Sequence, residues 1–274
     1  MNLKKRYLLV GMLLIMIWGG GALSAAADGL IVDHQAATRF AQIPADSFAS
    51  IRASFNIYYG HTSHGSQIVS GLSILAGENP ALYRRPAIHE TGPDLGSASW
   101  DQRTRDYLNA HPGVNLVIWS WCGQLSSYDS SQVNDYLQKM HQLETGYPKV
   151  IFVYMTGHLD GRGPSGRLYQ NNRRIREFCK FHGKVLFDFA DIESVDPAGT
   201  YYPDGSDQCE WCAAWCATHD CPLCSGCAHS HCFNCYRKGR AFWWMLAHLN
   251  GTPTSGDDSD GGGGGSCFIR TLSN

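Results

Sequence analysis

The chain has 274 residues, 43% apolar and 17% charged, with a formal charge of -2 and a pI near 6.6. That composition belongs to a globular domain with a real core and excludes a disordered or coiled-coil chain. The near-neutral charge supplies no field for gripping a polyanion, so no nucleic-acid partner is expected.

Lys4, Lys5 and Arg6 make a positive start, residues 7–23 are apolar with interrupting glycines, and Ala25-Ala26-Ala27 offers a small-residue cleavage site before Asp28. This reads as an export signal over 1–27, which places the mature chain in the periplasm or outside the cell with no stable membrane span. The rival is a retained anchor, for which the apolar stretch is at the short end.

The first strand is expected at residues 55–59 and ends at Gly60. It runs into Tyr59-Gly60-His61-Thr62-Ser63-His64-Gly65-Ser66 and then a helical stretch over 67–75. A small polar residue at the end of a buried strand, flanked by glycines and opening a helix, is the geometry that exposes a nucleophilic hydroxyl. Ser63 is therefore the first candidate, and the plainer alternative is that Ser63 or Ser66 caps the helix.

Further strands are expected at 114–121 (VNLVIWSW), 150–155 (VIFVYM) and 185–189 (VLFDF), each continuous rather than alternating, which suits strands covered on both faces. Helices are expected at 131–143, 168–181 and 241–249. Strand–helix alternation predicts an α/β fold, a three-layer sandwich with a central parallel sheet. Sites in such sheets form at the C-terminal ends of the strands. On that rim His158 and Asp160, in Thr156-Gly157-His158-Leu159-Asp160-Gly161, either line a pocket or shape a turn. Cys122 sits at a strand end too, but no histidine adjoins it in sequence, which favours a buried small residue over a thiol nucleophile.

Eight of the cysteines fall between 209 and 235, while Cys122, Cys179 and Cys267 stand alone. An even cluster in an exported chain favours disulfides. Four Cys-x-x-Cys spacings interleaved with His219, His229 and His231 keep zinc open as the competing reading, and an iron–sulfur cluster as a third. Residues 251–274 form a glycine-rich flexible tail, so the domain spans 28–250 with a Cys-rich insertion at 203–236.

In order and spacing, residues 51–249 resemble the SGNH/GDSL-type hydrolase superfamily. His61-Thr62-Ser63-His64-Gly65 looks like a divergent form of its first block, Gly96 takes the second-block position, and Cys122-Gly123-Gln124 the third, with Gln124 where the family usually has Asn. His231, ahead of Gly239 and the final helix, stands where the last-block histidine does. The family's aspartate three residues earlier is replaced by Ala228, so Asp204, Asp207 or Asp220 must orient the histidine if any acid does. The resemblance implies an SGNH/flavodoxin-like fold and an exported serine ester hydrolase acting on an acyl or acetyl ester of a carbohydrate or cell-envelope polymer. Its implied catalytic set is Ser63, His231 and Asp207, with Gly96 and Gln124 at the oxyanion and His61, His64, His158 and Asp160 about the substrate. No cofactor or metal is expected. The rival function is a non-catalytic extracellular binding module stabilised by its Cys-rich segment.

Overall fold

A computed structural model describes residues 29–253. The export signal read at 1–27, most of the glycine-rich tail and Cys267 lie outside those residues.

The sheet has six strands: β1 (Ile31–Val32), β2 (Asn56–Gly60), β3 (Ala87–Thr91), β4 (Leu116–Trp119), β5 (Ile151–Met155) and β6 (Val185–Phe187). They lie in the order β1-β6-β5-β4-β2-β3, and every pairing is parallel. Along β2 and β4 the side chains divide between two cores: Ile57, Tyr59, Leu116 and Ile118 face one, Tyr58, Val117 and Trp119 the other. Burial on both faces is why these strands read as unbroken apolar runs.

One face carries α1 (His34–Arg39), α2 (Ser47–Ser54), α3 (Ser66–Glu78), α7 (Phe189–Ser194) and α9 (Cys232–Leu249). The other carries α4 (Trp100–Ala110), α5 (Ser130–Gly146) and α6 (Arg167–Phe181). The predicted α/β three-layer sandwich is thus the observed one. In α5 a reciprocal capping box between Asp129 and Gln132 fixes the start, and Val133, Tyr136, Leu137, Met140 and Leu143 bury its inner stripe. Each such side chain contributes about 1.5–3 kcal/mol as an upper estimate.

The final helix begins at Cys232, well before the expected residue 241. Arg237, Lys238 and Gly239 look like helix-end residues, yet all three are buried and satisfied. Lys238 Nζ lies 2.6 Å from Glu193 Oε2 and also donates to Gln67 Oε1, and Arg237 donates to the carbonyls of Ile192 and Val195. Gly71 of α3 and Gly239 of α9 let the two helices touch backbone to backbone, since a Cβ at Gly239 would stand 2.4 Å from the Gly71 carbonyl carbon. Arg176 of α6 grips the buried Asp188 through two bonds of 2.5 and 2.8 Å.

The cysteine segment is disulfide-bonded: Cys209–Cys212, Cys216–Cys221, Cys224–Cys232 and Cys227–Cys235. The thiolates that a zinc or iron–sulfur site in this segment would need are therefore consumed. A short helix, α8 (Glu210–Cys216), lies within it. Among the described residues no helix is long and apolar enough to cross a membrane.

Candidate functional site

From β2 the chain passes through α3 on one face to β3, then returns through α4 on the other face to β4, which flanks β2 on its second side. The loops leaving β2 and β4 therefore part at a topological switch point, the place at the strand ends where sites form in parallel α/β sheets. Ser63, from the first loop, and Cys122, from the second, meet there with Oγ and Sγ 3.3 Å apart, both half-buried.

Ser63 is not a helix cap. Gly65 holds the N-cap position of α3 without any side-chain capping bond, and the Ser66 hydroxyl donates to the Ser63 carbonyl at 2.6 Å. The Ser63 hydroxyl faces Cys122 Sγ instead.

The next residue, His64, is the centre of the cluster. Its Nδ1 lies 3.5 Å from Cys122 Sγ, and its Nε2 lies 2.9 Å from Asp207 Oδ2. An N–H on Nε2 donating to the carboxylate leaves the Nδ1 lone pair facing the thiol. The ring is stacked with His158 at 4.1 Å and with His229 at 4.5 Å. Burial, chiefly, and then the proximity of His158 push the His64 pKa down to about 4, against the raising effect of the Asp207 hydrogen bond, so the imidazole is neutral at ordinary pH.

Asp207 reaches this place because the loop after β5 pairs with the Cys-rich insertion. Asp160 and Ser206 form an antiparallel bridge, and the Gly161 N–H donates to the Gly205 carbonyl at 3.1 Å. The Cys209–Cys212 disulfide closes the turn two residues further on. From below, Glu193 accepts from the Leu159 N–H next to His158, while Gln67 donates to the Ala228 carbonyl next to His229 at 2.6 Å. The buried Lys238 holds both Glu193 and Gln67, so one ammonium braces the segments carrying the stacked histidines.

No family model matches the chain, and no curated protein matches it.

Of the residues singled out by sequence, Ser63, His64, His158 and Asp207 come together. His231 does not join them in any described contact. It forms the N-cap of α9, where its Nδ1 accepts from the Phe233 N–H at 3.1 Å. His61 turns toward β3, with Nε2 3.1 Å from Glu90 Oε2. Asp160 accepts from the Arg162 N–H at 3.2 Å and shapes its turn. Asp220 is exposed, and Asp204 packs over Gly163.

The two oxyanion candidates adjoin the cluster, but both serve Asp94. The Gly96 N–H donates to Asp94 Oδ1 at 2.8 Å and the Gln124 amide donates to it at 3.2 Å. Thr62 donates to the other carboxylate oxygen. Gln124 Oε1 in turn accepts from the Cys122 N–H at 3.1 Å, which fixes the backbone that presents the thiol. A Cβ at Gly96 would collide with the Gln124 side chain at 2.3 Å, so glycine is required for this arrangement.

Sequence reasoning missed two partnerships. Cys122 lacks a histidine next to it in the chain, but His64 is its neighbour in space across 58 residues. The signal lay in the motif: a histidine directly after the strand-end serine stands on the same turn and faces the same site. Asp207 does orient a histidine, but that histidine is His64.

Proposed function

We propose that the chain is an exported acyl-transfer hydrolase of ester substrates in which Cys122 attacks, His64 is the base and Asp207 holds the imidazole. The observation that carries this reading is the continuous run from Cys122 Sγ through His64 Nδ1 and Nε2 to Asp207 Oδ2. Such a run is what activation of a nucleophile needs: a nucleophile within reach of a neutral base, and an acid that fixes the tautomer.

The thiol takes the nucleophile's role because a base touching it removes a thiol proton far more readily than a hydroxyl proton, and a thiol is the least weak of the protein nucleophiles at neutral pH. The Cys122 proton passes to His64 Nδ1 as Sγ bonds to the ester carbonyl carbon. The same proton then goes to the departing alkoxide as the C–O bond breaks. Water, deprotonated by His64, cleaves the resulting thioester and regenerates the thiol. Ser63, 3.3 Å from Sγ, is placed to donate to the developing thiolate. Its position after β2, shared with the SGNH resemblance, also favours a second reading in which Ser63 itself attacks.

Four disulfides support an oxidising compartment, and hence export. The resemblance in block order supports an acyl or acetyl group on a carbohydrate or cell-envelope polymer as the ester. Hydrolysis of p-nitrophenyl acetate by Cys122→Ala and Ser63→Ala variants tests the assignment. Loss of the thiol should remove hydrolysis, and loss of the hydroxyl should only slow it. The reverse pattern would give the nucleophile to Ser63, full activity in both variants would overturn both assignments, and a parent chain that hydrolyses no ester would leave the non-catalytic binding module.

A further inference from the structure

We infer that His64, His158 and Asp207 form a binding site for a divalent cation of the zinc class, and that the bound ion switches the site off. One ligand atom from each residue lies within 4.8 Å of the other two. Two imidazoles and a carboxylate are the donor types that zinc takes in three-ligand sites with one open position.

The site has the supports a metal needs. His158 is 9% exposed, and its Nδ1 is engaged by the Leu159 carbonyl. With the proton on Nδ1, the lone pair is on Nε2, for which no partner is found among the described residues. A backbone carbonyl holding the distal nitrogen is the arrangement that orients a metal-ligating histidine. His64 is 6% exposed and Asp207 half-buried, so the donors are sheltered while the carboxylate side keeps a path for entry.

The His64 Nε2 to Asp207 distance, 2.9 Å, is already shorter than the ~3.3 Å separating donors around a tetrahedral zinc. The two rings are 9° from parallel, so their lone pairs do not converge until one ring swings. His158 is the one to do so, because its Nε2 is unengaged among the described residues, whereas His64 is held at both nitrogens.

The consequence for catalysis rests on the proposed hydrolase reading. A cation on His64 Nε2 takes the lone pair there, so the single ring proton of the neutral imidazole, which had pointed at Asp207, moves to Nδ1. Nδ1 then faces Cys122 as a donor and accepts no thiol proton. Metal and base function exclude each other.

Zinc chloride titrated calorimetrically into the oxidised full chain, first stripped with a chelator, tests the site without any substrate. One zinc per chain is expected, with affinity reduced roughly tenfold to a hundredfold or more in His158→Gln and in Asp207→Asn and retained in Cys122→Ser. Cobalt in place of zinc should show tetrahedral visible absorption with no thiolate charge-transfer band. Circular dichroism establishes that each variant is folded. Affinity unchanged in both ligand variants, or lost in Cys122→Ser together with a thiolate band, overturns the site. For each variant that hydrolyses ester, the zinc concentration halving its own rate should move with its dissociation constant, and inhibition that ignores the ligand variants overturns the switch. A parent chain that binds zinc through these ligands yet hydrolyses no ester sinks the hydrolase reading and leaves the metal site standing.

Discussion

His64 Nε2 lies 2.9 Å from Asp207 Oδ2 although 143 residues separate the two in the chain. The contact joins the loop after β2 to the disulfide-bonded insertion, and in the proposed hydrolase it gives that insertion a chemical task. Asp207→Asn keeps the shape but removes the charge that stabilises an imidazolium and selects its tautomer. Ester hydrolysis should fall about 10²- to 10⁴-fold in kcat/KM with the circular dichroism spectrum unchanged. By comparison, Asp204→Asn and Asp220→Asn should stay near the parent rate.

The depressed pKa of His64 moves the acid limb of activity. With a chelator present, the base stays neutral down to about pH 4, so the rate should decline near that value and not near the ordinary imidazole value of 6.5. Stability follows the same group. The unfolded chain takes up this proton below about 6.5 and the folded chain only near 4, so the contribution of His64 is full above 6.5 and is lost as pH falls toward 4. A rate profile with its acid midpoint near the ordinary imidazole value of 6.5 would contradict His64 as the base.

Two glycines in α3 should respond in opposite directions. A methyl at Gly71 would stand 1.9 Å from the Cys235 carbonyl oxygen, whereas at Gly77 it meets nothing within 4 Å. Gly71→Ala should destabilise the α3–α9 contact by about 1–3 kcal/mol, the typical cost of overpacking. Gly77→Ala should add roughly 0.5–1 kcal/mol through helix propensity. Urea midpoints of the two variants check both signs.

Lys238→Met leaves Glu193 charged and buried without its ammonium partner. The expected loss is about 3–5 kcal/mol, as for other buried pairs broken on one side. Urea unfolding measures it, and a loss under 1 kcal/mol would show that the buried pair contributes little to stability.

Alkylation without reductant should find Cys122 and spare Cys179, which is fully buried. Reduction should then raise the intact mass of the 209–235 segment by four disulfides, about eight hydrogens. A segment that alkylates fully before reduction would return it to the metal reading.

The sheet was legible where strands are buried on both faces. The runs at 114–121, 150–155 and 185–189 enclose β4, β5 and β6, because two apolar cores leave no polar alternation to confuse the period. β3 was not legible: Ala87–Thr91 is an edge strand, mostly exposed, with no apolar run to mark it. β1 has two residues, too few to carry any pattern. In α4 the signal was present in Trp100, Thr104 and Leu108, spaced four apart, but it is thin in a polar helix. The start of α9 was hidden because a buried lysine and arginine look like surface residues until their partners on α3 and α7 are known. The site was half legible. The motif around Ser63 marked the place, whereas the partnership of Cys122 with His64 depends on β2 and β4 being neighbours, which no local spacing encodes.

The most direct test of the Cys122–His64–Asp207 reading is to trap the covalent intermediate. The protein is quenched in acid within the first turnover of p-nitrophenyl acetate, digested, and the acetylated residue mapped by mass spectrometry. An acetyl group on Cys122, absent from Cys122→Ala and formed far more slowly in His64→Ala than in His231→Ala, is the predicted result. An acetyl group on Ser63 with Cys122 unmodified, or formation that depends on His231 and not on His64, would contradict it.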